Sequence, residues 1–160
     1  MDIDRRYYVR TATTNDVAGL LECLRRAFEP FRELYTRNAY EDTVLTPETL
    51  SQRLASMQVY VAVTDTNAVI GTVASKMIDQ KQGHLRGMAV LPEWQSHGVS
   101  EALLKTAETA LAASGCSLIT LNTTAPLERA VCFYKRNGFR PTGEVTDFFG
   151  MPLYQYAKTI

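Results

Sequence analysis

The first part of the chain changes between strand-like and helical spacing of its apolar residues. A short apolar run at residues 7–10 predicts a strand, and Thr13 with Asp16 three residues later predicts a helix N-cap. Apolar residues then recur at helical spacing as far as Pro30, which predicts the end of that helix; they are Val17, Leu20, Leu21, Leu24 and Phe28. Residues 31–45 show no regular spacing, and we expect an irregular segment there.

A second helix and an antiparallel run of strands are predicted next. Thr46 is a favourable cap and Pro47 suits the first helical position, so a helix is expected to begin there. Its apolar face is formed by Leu50, Leu54 and Met57. The spacing then changes to that of strands, which are predicted at 59–64, 69–78 and 84–90 with polar turns between them.

The last part of the chain alternates helices and strands. A helix is predicted after Gly98, and Gly115 closes it; its buried face is formed by Leu103, Ala107, Ala110 and Leu111. A strand at 117–122, a helix from about Leu127 to Gly138, and strands at 139–145 and 153–158 follow. This order predicts an α/β fold, a three-layer α/β/α domain over residues 1–160 with a mixed, mostly antiparallel central sheet.

Composition and charge exclude several classes of partner. Seventeen basic and seventeen acidic side chains cancel, so we expect no nucleic acid and no anionic membrane as partner. No run of about 20 apolar residues occurs, and residues 1–6 lack an apolar signal core. Cys23, Cys116 and Cys132 are expected to be buried, reduced thiols, which favours a cytoplasmic location. With only His84 and His97 as histidines, no metal site is expected.

The segment from Met88 to Leu104 carries the strongest chemical signal. An apolar run stops at Pro92, and a short loop leads through Gly98 and Ser100 into a helix. Unpaired N–H groups at a helix N-terminus, with the positive end of the helix dipole, suit a phosphate or pyrophosphate. A glycine that serves only to turn the chain is the alternative explanation of this loop.

Two segments together resemble a known family. Val90-Leu91-Pro92 precedes Gln95-Ser96-His97-Gly98-Val99-Ser100, and a later segment contains, in order, Ala130, Phe133, Tyr134, Gly138 and Phe139. They resemble the acetyl-CoA loop, Arg/Gln-x-x-Gly-x-Gly/Ala after Val-x-Pro, and the segment Asn-x-x-Ala-x-x-Phe/Leu-Tyr-x-x-x-Gly-Phe of the GNAT superfamily of N-acetyltransferases. Two positions differ from the family pattern: Ser100 stands where the family has Gly or Ala, and Leu127 stands where it has Asn.

The resemblance implies a reaction and a set of site residues. It implies that acetyl-CoA is the cosubstrate and that the acetyl group passes, by direct attack, to a primary amine of a small molecule or peptide. The implied cofactor-binding residues are Met88, Ala89, Val90, Gln95, Ser96, His97, Gly98, Val99, Ser100 and Tyr134. A strand N–H there would stabilise the oxyanion, an effect worth ~3 kcal/mol in comparable acyl transfers.

Tyr134 is the implied general acid, because a phenol can donate a proton to the departing thiolate. Without the motif, packing against the core is the more usual role of such a tyrosine. In some members of the family a carboxylate on the central strands deprotonates the amine through water, but the strand at 84–90 has no carboxylate and offers only His84 and Arg86. Four acidic residues elsewhere are candidates, for which a solvated surface charge is the more usual role, and the base is left unassigned; they are Glu29, Glu33, Asp79 and Glu144. The acceptor is expected between residues 31–40, the hairpins and a loop at 147–152, where pocket walls and plain packing are both open for Tyr35, Tyr40, Phe148 and Phe149.

Two other functions compete with acetyl transfer. A non-catalytic acyl-CoA-binding or regulatory module of the same fold is favoured by Leu127 and by the missing strand carboxylate, whereas Tyr134 and the Gly98 loop oppose it. A generic nucleotide-binding domain is excluded, because no Gly-x-Gly-x-x-Gly follows the first strand and no Gly-Lys-Ser/Thr occurs. The oligomeric state is left open, with a homodimer as one option.

Overall fold

The computed structural model describes residues 6–160, which form a mixed sheet of seven strands in the order β1-β2-β3-β4-β5-β7-β6. The prediction about a signal core at residues 1–6 lies, except for Arg6, outside the described residues. The strands are β1 (Tyr7–Thr11), β2 (Gln58–Thr64), β3 (Val69–Met77), β4 (Gln82–Val90), β5 (Leu118–Thr123), β6 (Arg140–Phe148) and β7 (Met151–Thr159). The helices are α1 (Val17–Phe28), α2 (Arg37–Thr43), α3 (Pro47–Ser56), α4 (Val99–Ala113) and α5 (Glu128–Arg136).

The predicted fold class is confirmed. Neighbouring strands are antiparallel except for β4 and β5, which are parallel. Helices α1 and α4 both pack on β3 and β4 and lie on opposite faces of the sheet, which gives three layers. The interior is formed by β-branched and other apolar side chains of the central strands; Val61, Val63, Ile70, Val73 and Ile119 are almost fully buried.

A segment expected to be irregular contains an ordered element. Within residues 31–45 the structure contains helix α2, so that prediction is wrong. Thr36 caps the helix by accepting a hydrogen bond from the Ala39 N–H, and Ala39 is its one buried residue. A helix with one buried residue shows no apolar periodicity, which explains why the pattern missed it.

The loop expected at 147–152 is shorter than expected, because β6 and β7 extend into it and leave a tight two-residue turn. Phe148 pairs with Met151, and the two residues between them, Phe149 and Gly150, have φ of 51° and 87°. Positive φ at both central residues is what a type I′ turn requires. The hairpin therefore places Phe148 in the sheet.

Strand β4 contains a β-bulge. Thr72 pairs with Ala89 and Ala74 pairs with Arg86, so Gly87 and Met88 together lie opposite one residue of β3. Gly87 has φ of +68°, a conformation that residues with a side chain rarely adopt. The bulge re-aims the backbone of the second half of β4.

Strands β4 and β5 separate beyond their first four residue pairs. The parallel pairing runs from Gln82 with Leu118 to Leu85 with Leu121 and stops there. Beyond this point β5 continues to pair with β7, and β4 continues to pair with β3. The sheet therefore opens into a cleft between the second half of β4 and the end of β5.

Among residues 6–160, no helix has the length and apolar character needed to cross a bilayer.

Candidate active site

A cavity of about 530 Å³ lies between the open end of β4, the N-terminus of α4 and helix α5. It brings together nearly all of the sequence-predicted cofactor residues: Met88, Ala89, Val90, Gln95, Ser96, Gly98, Val99, Ser100 and Tyr134. His97 is the exception, because it is not part of the lining; its carbonyl instead accepts a hydrogen bond from the Tyr7 hydroxyl at 3.1 Å. We call this space the cofactor cavity.

The loop before α4 presents backbone N–H groups to the cofactor cavity. Gly98 is the N-cap with φ of +80°, and the ladder of the helix begins with Ala102 N–H donating to the Gly98 carbonyl at 3.1 Å. The N–H groups of Val99, Ser100 and Glu101 precede that bond and have no intrahelical acceptor. A Cβ on Gly98 would lie 3.2 Å from the Tyr7 hydroxyl, so a side chain there would disturb the brace between β1 and the loop.

Arg129 joins the loop to helix α5, a contact that the motif comparison missed. Its guanidinium donates to Gln95 Oε1 at 3.0 Å and to Ser96 Oγ at 3.2 Å. Gln95 in turn donates from Nε2 to the Val90 carbonyl at 3.3 Å. This chain of hydrogen bonds ties the end of β4, the loop and α5 together and places a positive charge beside the loop. The sequence offered one sign of this contact, since Arg129 directly precedes Ala130 of the second motif segment.

The backbone of β4 turns one N–H group toward the cleft. Leu91 donates its N–H to the Ile70 carbonyl on β3 at 2.9 Å. Because the direction of N–H groups alternates along a strand, the Val90 N–H points to the opposite side, where β5 has moved away. It is therefore a backbone donor available to a ligand in the cleft.

A second cavity of about 460 Å³ lies on the other side of the separated strands, and we call it the acceptor cavity. The two cavities share the side chains of Phe28, Met88, Leu127, Ala130 and Tyr134 in their linings. A molecule in one cavity can therefore meet a molecule in the other at this junction.

Tyr134 lies at the junction and is buried. Its ring packs edge-on against Phe139, with ring centroids 5.8 Å apart. Within residues 6–160 its hydroxyl forms no hydrogen bond, and burial raises the pKa of the phenol above its ordinary value. The hydroxyl therefore stays protonated at neutral pH and has a proton to donate. The structure thus gives Tyr134 a packing role and an available donor at the same time.

His84 lines the acceptor cavity from β4 and is half-buried. Its Nδ1 lies 2.9 Å from Thr120 Oγ1, which is also 3.5 Å from the Gly83 carbonyl, an acceptor for the threonine proton. Burial and the nearby cations Lys76 and Arg86 lower the pKa of His84, so the ring is neutral at pH 7. In the tautomer that donates from Nδ1 to Thr120, the Nε2 atom of the ring is a proton acceptor.

The aromatic residues considered as pocket walls divide into two pairs. Tyr35 and Phe148 line the acceptor cavity, whereas Tyr40 and Phe149 do not. Tyr35 is held by a 2.6 Å hydrogen bond between its hydroxyl and Thr124 Oγ1. Tyr40 packs edge-on against Tyr35, and Phe149 packs in the same way against Phe148, so the second pair supports the first.

The cysteine prediction is wrong at one position. Cys23 and Cys116 are buried and all three thiols are free, but Cys132 is exposed and lines the cofactor cavity. It precedes the buried Phe133 on α5, so a step of one residue turns it out of the core. Within residues 6–160, no group of three or more His, Cys, Asp or Glu side chains is arranged to bind a metal ion.

Comparison with known proteins agrees with the geometry. The sequence matches the acetyltransferase (GNAT) family over residues 5–139. The chain belongs to the GNAT acetyltransferase family. A comparison with curated proteins gives no match. The family resemblance seen in the two sequence segments is thereby confirmed, and it covers most of the chain.

Solved structures of this family share the fold at low sequence identity. The PaiA N-acetyltransferase from Thermoplasma acidophilum in complex with coenzyme A is 20% identical, with a TM-score of 0.82 over 97% of this chain and 99% of that one. The ribosomal-protein-S18-alanine N-acetyltransferase from Escherichia coli is 15% identical, with a TM-score of 0.77 over 97% and 94%. A GNAT acetyltransferase from Elizabethkingia anophelis with acetyl-CoA bound is 18% identical, with a TM-score of 0.65 over 98% and 99%.

Proposed function

We propose that this GNAT protein transfers the acetyl group of acetyl-CoA to a primary amine of a small molecule or peptide by direct attack. The observation that carries the proposal is the meeting of two cavities at Tyr134, where β4 and β5 separate. One cavity has a phosphate-binding type of helix N-terminus, and the other is lined by titratable groups. Direct attack needs such a junction, because the amine must reach the thioester without an enzyme-bound acetyl group.

The residues of the cofactor cavity fit acetyl-CoA. Gly98 leaves its position without a Cβ, and the N–H groups at the start of α4 have no intrahelical acceptor. These groups and the Arg129 guanidinium would hold the pyrophosphate, while the backbone of Met88, Ala89 and Val90 would bind the pantetheine arm. Acetyl-CoA, when bound, supplies an activated acetyl group as a thioester.

Three groups of this chain are proposed to act on the reaction. The Val90 N–H would donate to the carbonyl oxygen of the thioester as negative charge develops on it. His84 Nε2, six residues before Val90 on β4, would take the proton of the attacking amine through intervening water. The Tyr134 hydroxyl would donate its proton to the departing sulfur. Arg86 is unsuited as a base, because a guanidinium has no acceptor and this one donates to Asp42 Oδ2 at 2.7 Å.

Gly98→Asp tests the cofactor site, and Gly143→Asp is its matched control. Both glycines have positive φ, +80° and +87°, and no atom lies within 4 Å of a Cβ at Gly143. Both variants thus gain the same charge and the strain of a side chain at positive φ, but only Gly98→Asp places a carboxylate beside the loop and approaches the Tyr7 hydroxyl. We expect CoA affinity to fall at least tenfold, about 1.4 kcal/mol, for Gly98→Asp alone in calorimetry. Equal affinity in both folded variants would remove the site.

A non-catalytic CoA-binding module is the second candidate, and Leu127 favours it. This residue lines both cavities at a position where the family carries a polar Asn, so one polar contact to the cofactor arm is missing. Thiol release from acetyl-CoA across a panel of amines, amino acids, polyamines and peptides separates the two candidates. Acceptor-dependent release supports acetyl transfer, whereas CoA binding without release for every acceptor supports the module.

The cellular context is part of the proposal. We expect the protein in the cytoplasm, which fractionation of cells that express it would test. A homodimer is one option, since β6 is an edge strand whose residues before Phe148 are exposed and include Val145 at 53%. Edge strands are available for pairing or for cover by another chain. Sedimentation across a concentration range would distinguish a monomer from a dimer.

A further inference from the structure

The acceptor cavity has an excess of positive charge, although the whole chain is neutral. Its charged lining residues are Asp42, Arg53, Lys76 and Arg86, since the lowered pKa of His84 leaves that ring neutral. Three cations thus face one carboxylate. Asp42 is bonded to Arg86 at 2.7 Å, so its charge is already matched. The net positive field is local to this cavity and favours an anionic ligand.

Because Asp42 is bonded to Arg86, two lining cations remain, Arg53 and Lys76, and only Arg53 is withdrawn from solvent. It lies on α3 and is half-buried, and its guanidinium forms no hydrogen bond or ion pair within residues 6–160. Burial and the neighbouring Arg86 lower the pKa of the guanidinium to about 10, although the Asp42 carboxylate acts in the opposite direction, so the guanidinium remains charged at neutral pH. A partly buried guanidinium with five N–H donors and no acceptor is costly unless a ligand supplies the anion.

The guanidinium lies close to the reacting end of β4. Its Nη1 is 2.5 Å from the position that a Cβ on Gly87 would occupy, hence within about 4 Å of the Gly87 Cα. Met88, the next residue, lines both cavities at their junction. An anionic group bound by Arg53 would therefore lie only a few bonds from an amine at the junction. A polar contact on the opposite wall is also open, because the buried Thr123 Oγ1 has no hydrogen-bond partner within residues 6–160.

We infer that the acceptor amine carries a carboxylate separated from the amine by a few bonds, as in an amino acid, and that Arg53 binds this carboxylate. A guanidinium matches a carboxylate with two parallel N–H bonds, which fixes orientation as well as affinity. Arg53 is in this view a specificity-determining residue: it selects the acceptor and does not act on the proton transfers. The inference rests on the proposed acetyl transfer and narrows its substrate class.

Matched acceptors test the inference. Thiol release from acetyl-CoA would be measured with amino acids, with their carboxamides and with the amines that lack the carboxyl group. Aminoalkyl phosphates of similar length would show whether a phosphate replaces the carboxylate. We expect kcat/KM at least tenfold higher for the amino acids than for the carboxamides and amines. A preference for the aminoalkyl phosphates over the amino acids would overturn the choice of carboxylate.

Variants of Arg53 add a residue-level test. Arg53→Met keeps the length of the side chain and removes the charge and the donors, so the KM of amino acids should rise at least tenfold. The KM of acetyl-CoA and the rates with carboxamides should stay within about twofold, and Arg53→Lys should recover part of the loss. An equal loss with charged and neutral acceptors would show that Arg53 only supports the fold.

A binding measurement separates failure of this inference from failure of the proposed function. N-acetylated amino acids, the expected products, would be titrated into the wild-type protein and into Arg53→Met, both with CoA. Weaker binding to the variant, by at least tenfold, supports the anion site whether or not turnover is detected. Turnover with equal rates for amino acids and carboxamides would overturn the inference and leave acetyl transfer standing. Absence of product binding to the wild-type protein would also overturn it.

Discussion

At the scale of single residues, Tyr134 joins the two cavities with a hydroxyl that has no partner in residues 6–160. Tyr134→Phe keeps the ring that packs on Phe139 and removes the one proton that a general acid needs. We expect kcat to fall by ~10²-fold or more with acetyl-CoA affinity nearly unchanged, measured by steady-state kinetics and calorimetry. Weaker binding with normal kcat would instead show that Tyr134 positions the cosubstrate.

His84 is the residue that we propose as the general base. His84 has a lowered pKa, so it gains a proton only below the ordinary value of about 6.5 and is active above it. Protonation of the amine already lowers kcat/KM on the acid side with a slope of one in a logarithmic pH profile. We expect the slope to change to two below the pKa of His84.

His84→Asn is the matched variant, because its amide can keep a hydrogen bond to Thr120 while it cannot accept the proton. The second change of slope should disappear, and the plateau of kcat/KM should fall by ~10²-fold. An unchanged profile in the variant would exclude His84 as the base.

At the scale of elements, the close approach of β3 to α4 positions the phosphate-binding loop. A Cβ on Gly71 would lie 2.9 Å from Val99 Cγ1 and 3.2 Å from the Ala89 carbonyl oxygen. Gly71→Ala should therefore push the start of α4 away from the sheet, with a loss of about 1–3 kcal/mol in unfolding free energy and weaker CoA binding.

Gly19→Ala is the control, since its Cβ would lie 2.8 Å from Val69 Cγ2, on α1 and away from the loop. Chemical denaturation and calorimetry of both variants would measure the two effects. CoA binding that is unaffected by Gly71→Ala would show that this packing does not position the loop.

The β-bulge of β4 is a second structural feature that shapes the site. Gly87→Ala and Gly143→Ala both place a side chain at positive φ, +68° and +87°, and each should cost about 1–2 kcal/mol. Only Gly87→Ala also displaces Arg53 and alters the backbone next to Met88. We expect a large loss of kcat/KM for Gly87→Ala and near-normal activity for Gly143→Ala. Equal activities would contradict a role for the bulge in the site.

At the scale of the whole molecule, ligand binding and stability are linked. The cofactor cavity is built from β4, α4 and α5, so a ligand there binds the folded state and has no site in the unfolded chain. CoA at one hundred times its dissociation constant should add about 2.7 kcal/mol, or roughly 5–10 °C in Tm for a domain of this size. Calorimetric melting would measure it. Gly98→Asp should lose this shift, and a wild-type protein without one would contradict the proposed site.

The spacing of hydrophobic residues was sufficient to predict most helices and strands, because the stability of each depends on one apolar face. The helix from Val17 to Phe28 ends before Pro30 as expected, and the strands of the sheet lie within a few residues of their predicted bounds. The two motif segments were sufficient to identify the family. They contain local signals, a loop at a helix N-terminus and a fixed order of residues on one helix, that need no knowledge of distant contacts.

Distant contacts account for what the sequence did not reveal. Helix α2 has one buried residue, and the turn at Phe149-Gly150 depends on two residues adopting positive φ. The separation of β4 from β5 follows from competition between neighbouring strands, since β7 continues to pair with β5 where β4 does not. Arg53 and His84 lie 31 positions apart on a helix and a strand, and both line the acceptor cavity. Burial, charge pairing and pKa depend on neighbours that are distant in the sequence, so only the tertiary structure revealed the acceptor site.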